Sequence, residues 1–439
     1  MTLADGAAVA LGAAIDARRA KVVVIGQGVV GVPEAVAIAR AGFSVVGLDR
    51  AATIVGRLQA WDSASSDVVD ADLRQVLASG AYRATTDPSS LETADIVVIC
   101  VPTPLTREDD PDLSMVEDAA KAIGAASDRP RLIILASTVP PGTTRGVVLP
   151  LLVAAGREVG RDIFLAFAPE RLDPGNQRYT LATTPRVVGG MTESCRALAE
   201  IFYRGIVDTI KLVDAPEIAE LAKAVENSFR FLNISFANEV AQLCDRLGYS
   251  VWDVIDAAAT KPFGFMPHLP GPGVGGSCIP VVPHYLRYVA EKVGLPSRLI
   301  VSSAEINTDM PRFVVDKLAR LLADRGIDLA GARILVVGVT YKANVADIRE
   351  SPAIPIIRHL IETNAAVSYS DPYVSMLTID SATLRSVSLS LEVVSEADAV
   401  LLLTLHDSVD RVLLVEPARL VFDTRNALKA TRNPAIVRL

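Results

Sequence analysis

The chain has 439 residues and a net charge of −8, from 43 Lys and Arg against 51 Asp and Glu, and half of it is hydrophobic. That length exceeds one core and calls for two or three domains, while the acidity excludes nucleic acid as the main partner and leaves anionic ligands to local cations. The cysteines (Cys100, Cys195, Cys244, Cys278) form no CxxC pair and there are only four histidines, so no disulfide framework or metal centre is expected, and a cytoplasmic setting follows.

Residues 1–20, with an early Asp5 and no basic segment, read as a lead-in helix rather than a signal peptide. No later apolar run has the length of a membrane span. Lys21 to Gly26 is a buried-strand pattern that runs into Gly26-x-Gly28-x-x-Gly31. A helix from about Pro33 to Ala41 and a strand from Ser44 to Leu48, ending at Asp49, follow. A lone GxGxxG is weak, but here strand, helix and acid all stand where a dinucleotide needs them. Gly26, Gly28, Val29, Val30 and Gly31 form the expected cofactor turn. Asp49 would take the ribose hydroxyls and repel a 2′-phosphate, which selects NAD, and Arg50 beside it weakens that selection.

Strands and helices continue to alternate. Asp95 to Val101, Arg131 to Thr138 and Ile163 to Ala168 read as buried strands. They end in loops carrying Val101, Pro102 and Thr103, then Thr138, then Glu170 and Arg171. In an open parallel sheet ligands bind at the carboxyl ends of the strands, so these loops should face the nicotinamide, although Thr138 and Glu170 read alone fit ordinary loop caps.

Near Asp214 the pattern changes. Asp214-x-x-Glu217 reads as a capping box opening a helix that runs to about Leu247 and closes at Gly248. Lys223 and Asn227 are four apart on it, on one face of an otherwise apolar segment. A helix this apolar is expected to be buried between domains or subunits, where such a polar pair needs a partner. Phe263 to Tyr285 is crowded with glycine and proline around Cys278 and must be a loop held in one path. Read alone, it also fits a structural loop around a small buried Cys. From Arg333 a second α/β pattern begins, with strands at Arg333–Gly338, Ala366–Ser370, Ala397–Leu405 and Leu420–Phe422. Lys342, Arg349 and Arg425 at its strand ends suit a diphosphate, or else belong to a solvated loop laced with salt bridges.

Taken together, these segments resemble the UDP-glucose/GDP-mannose dehydrogenase family over nearly the whole length. The match runs through GxGxxG, VPTPL (Val101 to Leu105), STVPPGTT (Ser137 to Thr144), APER (Ala168 to Arg171) and KAVENSFR around Lys223. It continues through GPGVGGSC ending at Cys278, TYKANVADIRESP and DTRN. GRDI, DAAATKPFGF and CIPV resemble the branch acting on UDP-N-acetylhexosamines.

The resemblance implies two Rossmann-like doubly wound α/β domains joined by a long central helix. The expected division is a lead-in helix at 1–20, an NAD-binding domain at 21–212, a helical dimerisation domain at 213–312 and a nucleotide-sugar-binding domain at 313–439. It implies a homodimer in which cofactor and nucleotide sugar meet at a cleft. Cys278 would be the nucleophile, Lys223 and Asn227 oxyanion stabilisers, Thr138 the holder of a catalytic water and Glu170 an acid/base. Arg349 is expected at the cofactor. Glu170, Arg171, Lys223, Asn227, Lys261, Phe263, Gly275, Gly276, Lys342 and Arg425 are expected at the substrate, with Lys261 reaching the neighbouring subunit.

The sequence departs from the family pattern at one position: Val282 stands four residues after Cys278, where the family has Asp. His284, two residues on, is a candidate replacement base, or a residue that merely packs against the following helix. The expected activity is therefore four-electron oxidation of a nucleotide sugar (a UDP- or TDP-hexose, or a UDP-N-acetylhexosamine) at C6. The alternatives are an impaired nucleotide-sugar-binding paralogue, an altered second oxidation, or an ordinary two-electron dehydrogenase, which would leave the thiol loop unexplained.

Overall fold

The computed structural model describes residues 6–60, 70–153, 156–173, 176 and 178–439. It forms two compact units, Met1–Glu226 with His284–Leu295, and Asn227–Pro283 with Pro296–Leu439. The lead-in helix is present as Gly6–Asp16, and Asp5 lies outside the described residues.

The first unit is built on eight strands: β1 (Lys21–Ile25), β2 (Ser44–Leu48), β3 (Tyr82–Thr85), β4 (Ile96–Ile99), β5 (Arg131–Leu135), β6 (Ile163–Phe167), β7 (Arg186–Gly190) and β8 (Ile210–Val213). Their order is β3-β2-β1-β4-β5-β6-β7-β8. Strand residues alternate between two cores because the pleat has period two. Val22, Val24, Ile96, Val98, Leu132 and Ile134 pack on one face, and Val23, Val97, Ile99, Ile133 and Leu135 on the other. A sheet covered on both faces explains why these strands read as unbroken apolar runs.

One pairing departs from the expected parallel sheet. β7 runs antiparallel to β6, with Phe167 opposite Gly189. Among the described residues of 168–185 there is no helix to carry the chain back as a parallel crossover.

The second unit repeats the principle with β9 (Arg333–Val337), β10 (Ala366–Ser370), a hairpin of β11 (Met376–Ile379) and β12 (Ala382–Arg385), β13 (Ala399–Leu402), β14 (Val421–Asp423) and β15 (Ile436–Arg438). Its main sheet is all parallel in the order β10-β9-β13-β14-β15, the flavodoxin-like arrangement. Ile334, Val336, Leu401 and Phe422 face one core, Leu335, Val337, Val400 and Leu402 the other.

The long helix runs from Pro216 to Leu247 and is closed by Gly248 at φ +75°. The acids of the expected capping box are each taken by a guanidinium, Asp214 by Arg196 and Glu217 by Arg145. Its apolar surface is not all covered within the chain: Ile218, Leu221, Val225, Phe236, Leu243 and Leu247 are exposed.

In both units the first strand ends in a glycine whose positive φ and close backbone neighbour leave no room for a Cβ. Gly338 has φ +80°, and a Cβ there would sit 1.9 Å from the Thr404 carbonyl oxygen. Gly338→Ala should therefore lower the stability of the chain by about 2–4 kcal/mol, from backbone strain plus overpacking. Gly80→Ala, at φ +72° with open space around it, should cost only about 1 kcal/mol. Urea titrations of the two variants read the difference directly.

Candidate active site

In the first unit the strand order reverses at β1, so the loops after β1 and β4 flank the switch point where open α/β sheets bind ligands. Gly26 turns at φ +88°, and a Cβ on Gly31 would meet the Gly26 carbonyl oxygen at 1.7 Å, which lets helix Gly31–Arg40 pack against the turn. Gly28 has nothing within 4 Å of where a Cβ would stand, and Val30 offers no capping side chain to the helix start. Backbone N–H groups at an open helix N-terminus suit a pyrophosphate.

Asp49 holds the turn in place. Its carboxylate accepts from Gln27 N at 2.7 Å and from Ala51 N at 2.8 Å, and it stays partly exposed with further lone pairs. Gln27 is a support that sequence reasoning missed: it is buried, bonded to the Val24 carbonyl and to the Tyr82 hydroxyl. Val29 is exposed on the turn, and Arg50, also exposed, points its guanidinium at the Met115 sulfur.

The strand-end loops beside it are stitched together. Thr103 Oγ1 donates to the Thr138 carbonyl at 2.6 Å, Ser137 Oγ to the Val101 carbonyl at 2.7 Å, and the Tyr285 hydroxyl to the Thr103 carbonyl. A second unforeseen residue, Glu220, is fully buried on the long helix. It accepts from Gly142 N (2.5 Å), Thr144 N (2.8 Å) and Thr144 Oγ1 (2.6 Å), clamping the loop that begins at Thr138. Its signal was available, for it precedes Lys223 by three residues on the same helix.

Lys223 and Glu170 are both buried. Burial pushes the Glu170 carboxyl above its ordinary range, and the cations of Lys223 and Arg186 pull it back in part. The carboxylate accepts from Leu172 N. Arg171 is engaged with Glu226 and the Pro185 carbonyl. His284 lies in the first turn of helix Val282–Lys292, its Nδ1 buried without a partner.

In the second unit Cys278 is exposed, whereas Cys100, Cys195 and Cys244 are buried. That removes the reading of Cys278 as a small core residue. Its loop is tied down at both ends: Gly271 N donates to Asn238 Oδ1 (2.9 Å), Gly276 N to the Arg349 carbonyl (3.0 Å) and Val282 N to the Cys278 carbonyl (2.9 Å). Asn238, a third residue missed from sequence, is itself held by Asn307. The loop's glycines admit protein groups at close range. Cβ atoms on Gly275 and Gly276 would fall 2.7 and 2.8 Å from Tyr341 side-chain atoms, and one on Gly271 2.9 Å from the Arg425 guanidinium.

Asn227 is buried with its Nδ2 unpartnered, a donor that a polar ligand atom would satisfy. Desolvation pushes the Arg425 guanidinium down to about 10. Arg349 is raised, first by its bond to Asp347 and in smaller part by Cys278. Lys261 and Phe263 stack on each other at 5.0 Å on an exposed segment.

The loop of Lys342 and Arg349 rests on a buried pair. Asp371 accepts from Val339 N at 2.7 Å and from His406 Nε2 at 3.1 Å, while His406 Nδ1 accepts from Asn344 N at 3.0 Å. Among the described residues no His/Cys/Asp/Glu group could hold a metal.

Three successive segments match the models of one family: residues 20–207 its NAD binding domain, 217–309 its central domain and 335–430 its UDP binding domain. The chain belongs to the UDP-glucose/GDP-mannose dehydrogenase family. It is 34% identical over 416 residues to the UDP-N-acetyl-D-mannosamine dehydrogenase of Pyrococcus horikoshii, covering 93% of this chain and 96% of that one. It is 33% identical to the UDP-N-acetyl-D-glucosamine 6-dehydrogenase of Pseudomonas aeruginosa, covering 81% and 83%. A solved structure of the UDP-D-ManNAc dehydrogenase from P. horikoshii superposes with a TM-score of 0.84 at 33% identity, covering 95% of this chain and 98% of that one.

The two doubly wound α/β units are thus those of a nucleotide-sugar dehydrogenase, an oxidoreductase that uses NAD, and the turn at Gly26–Gly31 fits that cofactor. If Asp49 selects the cofactor, the enzyme should prefer NAD⁺ over NADP⁺ more than tenfold, because a like-charge clash worth more than about 1.4 kcal/mol meets the 2′-phosphate. Asp49→Ala with Arg50 retained should narrow that preference, measured as the ratio of kcat/KM for the two cofactors.

Proposed function

We propose that this enzyme oxidises the C6 hydroxyl of a nucleotide sugar, of the UDP-N-acetylhexosamine class, to a carboxylate in two hydride transfers through a covalent Cys278 intermediate. The observation that carries the reading is the exposed Cys278 on a loop fastened at Gly271 and Gly276, in a chain whose other described thiols are buried. The substrate class rests on the relatives, which are named for UDP-N-acetylmannosamine and UDP-N-acetylglucosamine.

NAD supplies the hydride acceptor, once for the alcohol and once more for the adduct. After the first transfer, the Cys278 thiolate adds to the C6 aldehyde and makes a thiohemiacetal. Loss of a second hydride leaves a thioester, and water then releases the acid and the thiol. Lys223, with its charge buried, and Asn227, with its free buried amide N–H, stabilise the oxyanions. Thr138 positions the hydrolytic water and Glu170 moves its proton. Lys342 and Arg425 meet the substrate diphosphate and Arg349 the cofactor, with Arg171, Lys261, Phe263, Gly275 and Gly276 completing the substrate contacts. The apolar residues left exposed along the long helix support a homodimer through that helix. Four free cysteines fit work in the reducing cytoplasm.

A second reading, an altered or impaired second oxidation, is favoured by Val282. It is 1% exposed, and its apolar side chain stands where the family resemblance leads one to expect Asp. His284 is the candidate substitute.

Wild-type enzyme, sedimenting as a dimer, should form two NADH per sugar consumed. One NADH per sugar would overturn the four-electron reading in favour of a halted second oxidation or a two-electron dehydrogenase. Cys278→Ala should form no acid, and undiminished acid from it would end the covalent mechanism. Lys223→Ala should lower kcat roughly a hundredfold.

Burial pushes His284 below its ordinary 6.5, with Arg287 adding to the shift and Asp109 opposing it. The imidazole is therefore neutral at pH 7, as a base must be. If His284 acts, the rate should be flat near neutrality and fall only on the acid side of 6.5, and His284→Phe should remove that limb and depress kcat. An unchanged pH–rate profile assigns His284 to packing.

A further inference from the structure

A buried ion pair underlies Glu170 that neither the cofactor turn nor the substrate contacts use. Glu34, three residues after Gly31 in helix Gly31–Arg40, is fully buried, and Arg186, the first residue of β7, is 3% exposed. Arg186 Nη2 donates to Glu34 Oε2 at 2.7 Å, the Tyr203 hydroxyl donates to Glu34 Oε1 at 2.9 Å, and the guanidinium lies 4.7 Å from the Tyr203 ring centroid. Arg186 Nη1 also reaches the Ala168 carbonyl at 3.3 Å, two residues before Glu170.

Burying such a pair gives little net stability over apolar packing, so its placement calls for another account. We propose that Glu34 and Arg186 are positioning residues for Glu170: Arg186 fixes the strand end that carries it, and the two opposite charges set the electrostatic balance under its carboxyl. The proposal rests on the acid/base reading of Glu170 given above.

The groups around Glu170 act in known senses. Burial raises its pKa, Lys223 on the long helix and Arg186 on β7 lower it, Glu34 raises it, and the Leu172 N–H lowers it. Cys100, buried beside the same groups, is itself pushed well up and stays a neutral thiol. Lys223 alone would favour the carboxylate. Glu34 offsets Arg186, so that the pair supplies a donor to the backbone without adding a full positive charge beneath the acid.

The test is the pH dependence of kcat for acid formation in the full-length enzyme. Glu170→Gln identifies the limb that belongs to Glu170 by removing it. Glu34→Gln deletes the anion, so that limb should move to lower pH. Arg186→Met deletes the cation, so it should move to higher pH, while Arg186→Lys, which keeps the charge, should leave it in place. Opposed shifts establish the proposal, because a purely structural loss would lower the rate in both variants without separating their profiles. Shifts in the same direction, or none, overturn it. If Arg186→Met does not fold, the near-isosteric Glu34→Gln decides alone, and an unmoved limb in it overturns the proposal. A limb that survives Glu170→Gln overturns the acid/base reading, and the proposal with it.

Discussion

Both units depend on the same local arrangement, a carboxylate that holds a glycine turn from the end of the neighbouring strand. Asp49 takes the N–H of Gln27 after Gly26, and Asp371 takes the N–H of Val339 after Gly338, each at 2.7 Å. The residue two places after each acid closes the other oxygen, Ala51 at 2.8 Å and Tyr373 at 2.8 Å. The turn is forced because the backbone passes too close to the adjacent strand end for any Cβ, and the acid satisfies an N–H that the turn would otherwise strand. What differs is the remaining face of the carboxylate. Asp49 stays partly open. Asp371 is sealed by His406, whose Nδ1 already accepts from Asn344 and whose ring proton is therefore on Nε2, donated to the acid. One turn is left available to a ligand, and its counterpart is converted into the foundation of the Lys342–Arg349 loop.

Charge burial organises the rest of the first unit. Glu34, Glu170, Glu220, Arg186 and Lys223 are all buried there, each costly to remove from water unless something answers it. Glu220 is answered by three donors of the Gly142–Thr144 loop and Glu34 by Arg186 and Tyr203. Of the three acids, Glu170 keeps the least complete set: one backbone donor, with Lys223 and Arg186 acting through space. A carboxyl held that way titrates where its neighbours place it, which suits a group asked to exchange protons.

Much of this was legible in the residues. β2 and β10 begin and end at the residues the sequence marks, and β1 and β5 begin at theirs; for β1 and β5 the reason is that a strand covered on both faces is apolar through its interior. The acid at the end of β2 was legible because its distance from the glycines is set by one helix and one strand. The reversal of β7 was not: strand direction is decided by the connection, and the segment 168–185 has no period that announces its path. Gln27, Glu220, Asn238 and His406 were passed over because a buried polar side chain looks in sequence like a surface one.

The sequence by itself determined the α/β class, the positions of both glycine turns and the thiol loop, since each follows from side-chain period or from backbone angles that only glycine and proline impose. Only the tertiary structure decided which charges are buried and what answers them. It showed that Glu34 meets Arg186 across 152 positions, that Glu220 clamps a loop rather than meeting water, and that Cys278 is the exposed thiol of the four. The physical reason is that burial and hydrogen-bond partnership belong to pairs of residues brought together by the fold, and no single position in the chain carries them.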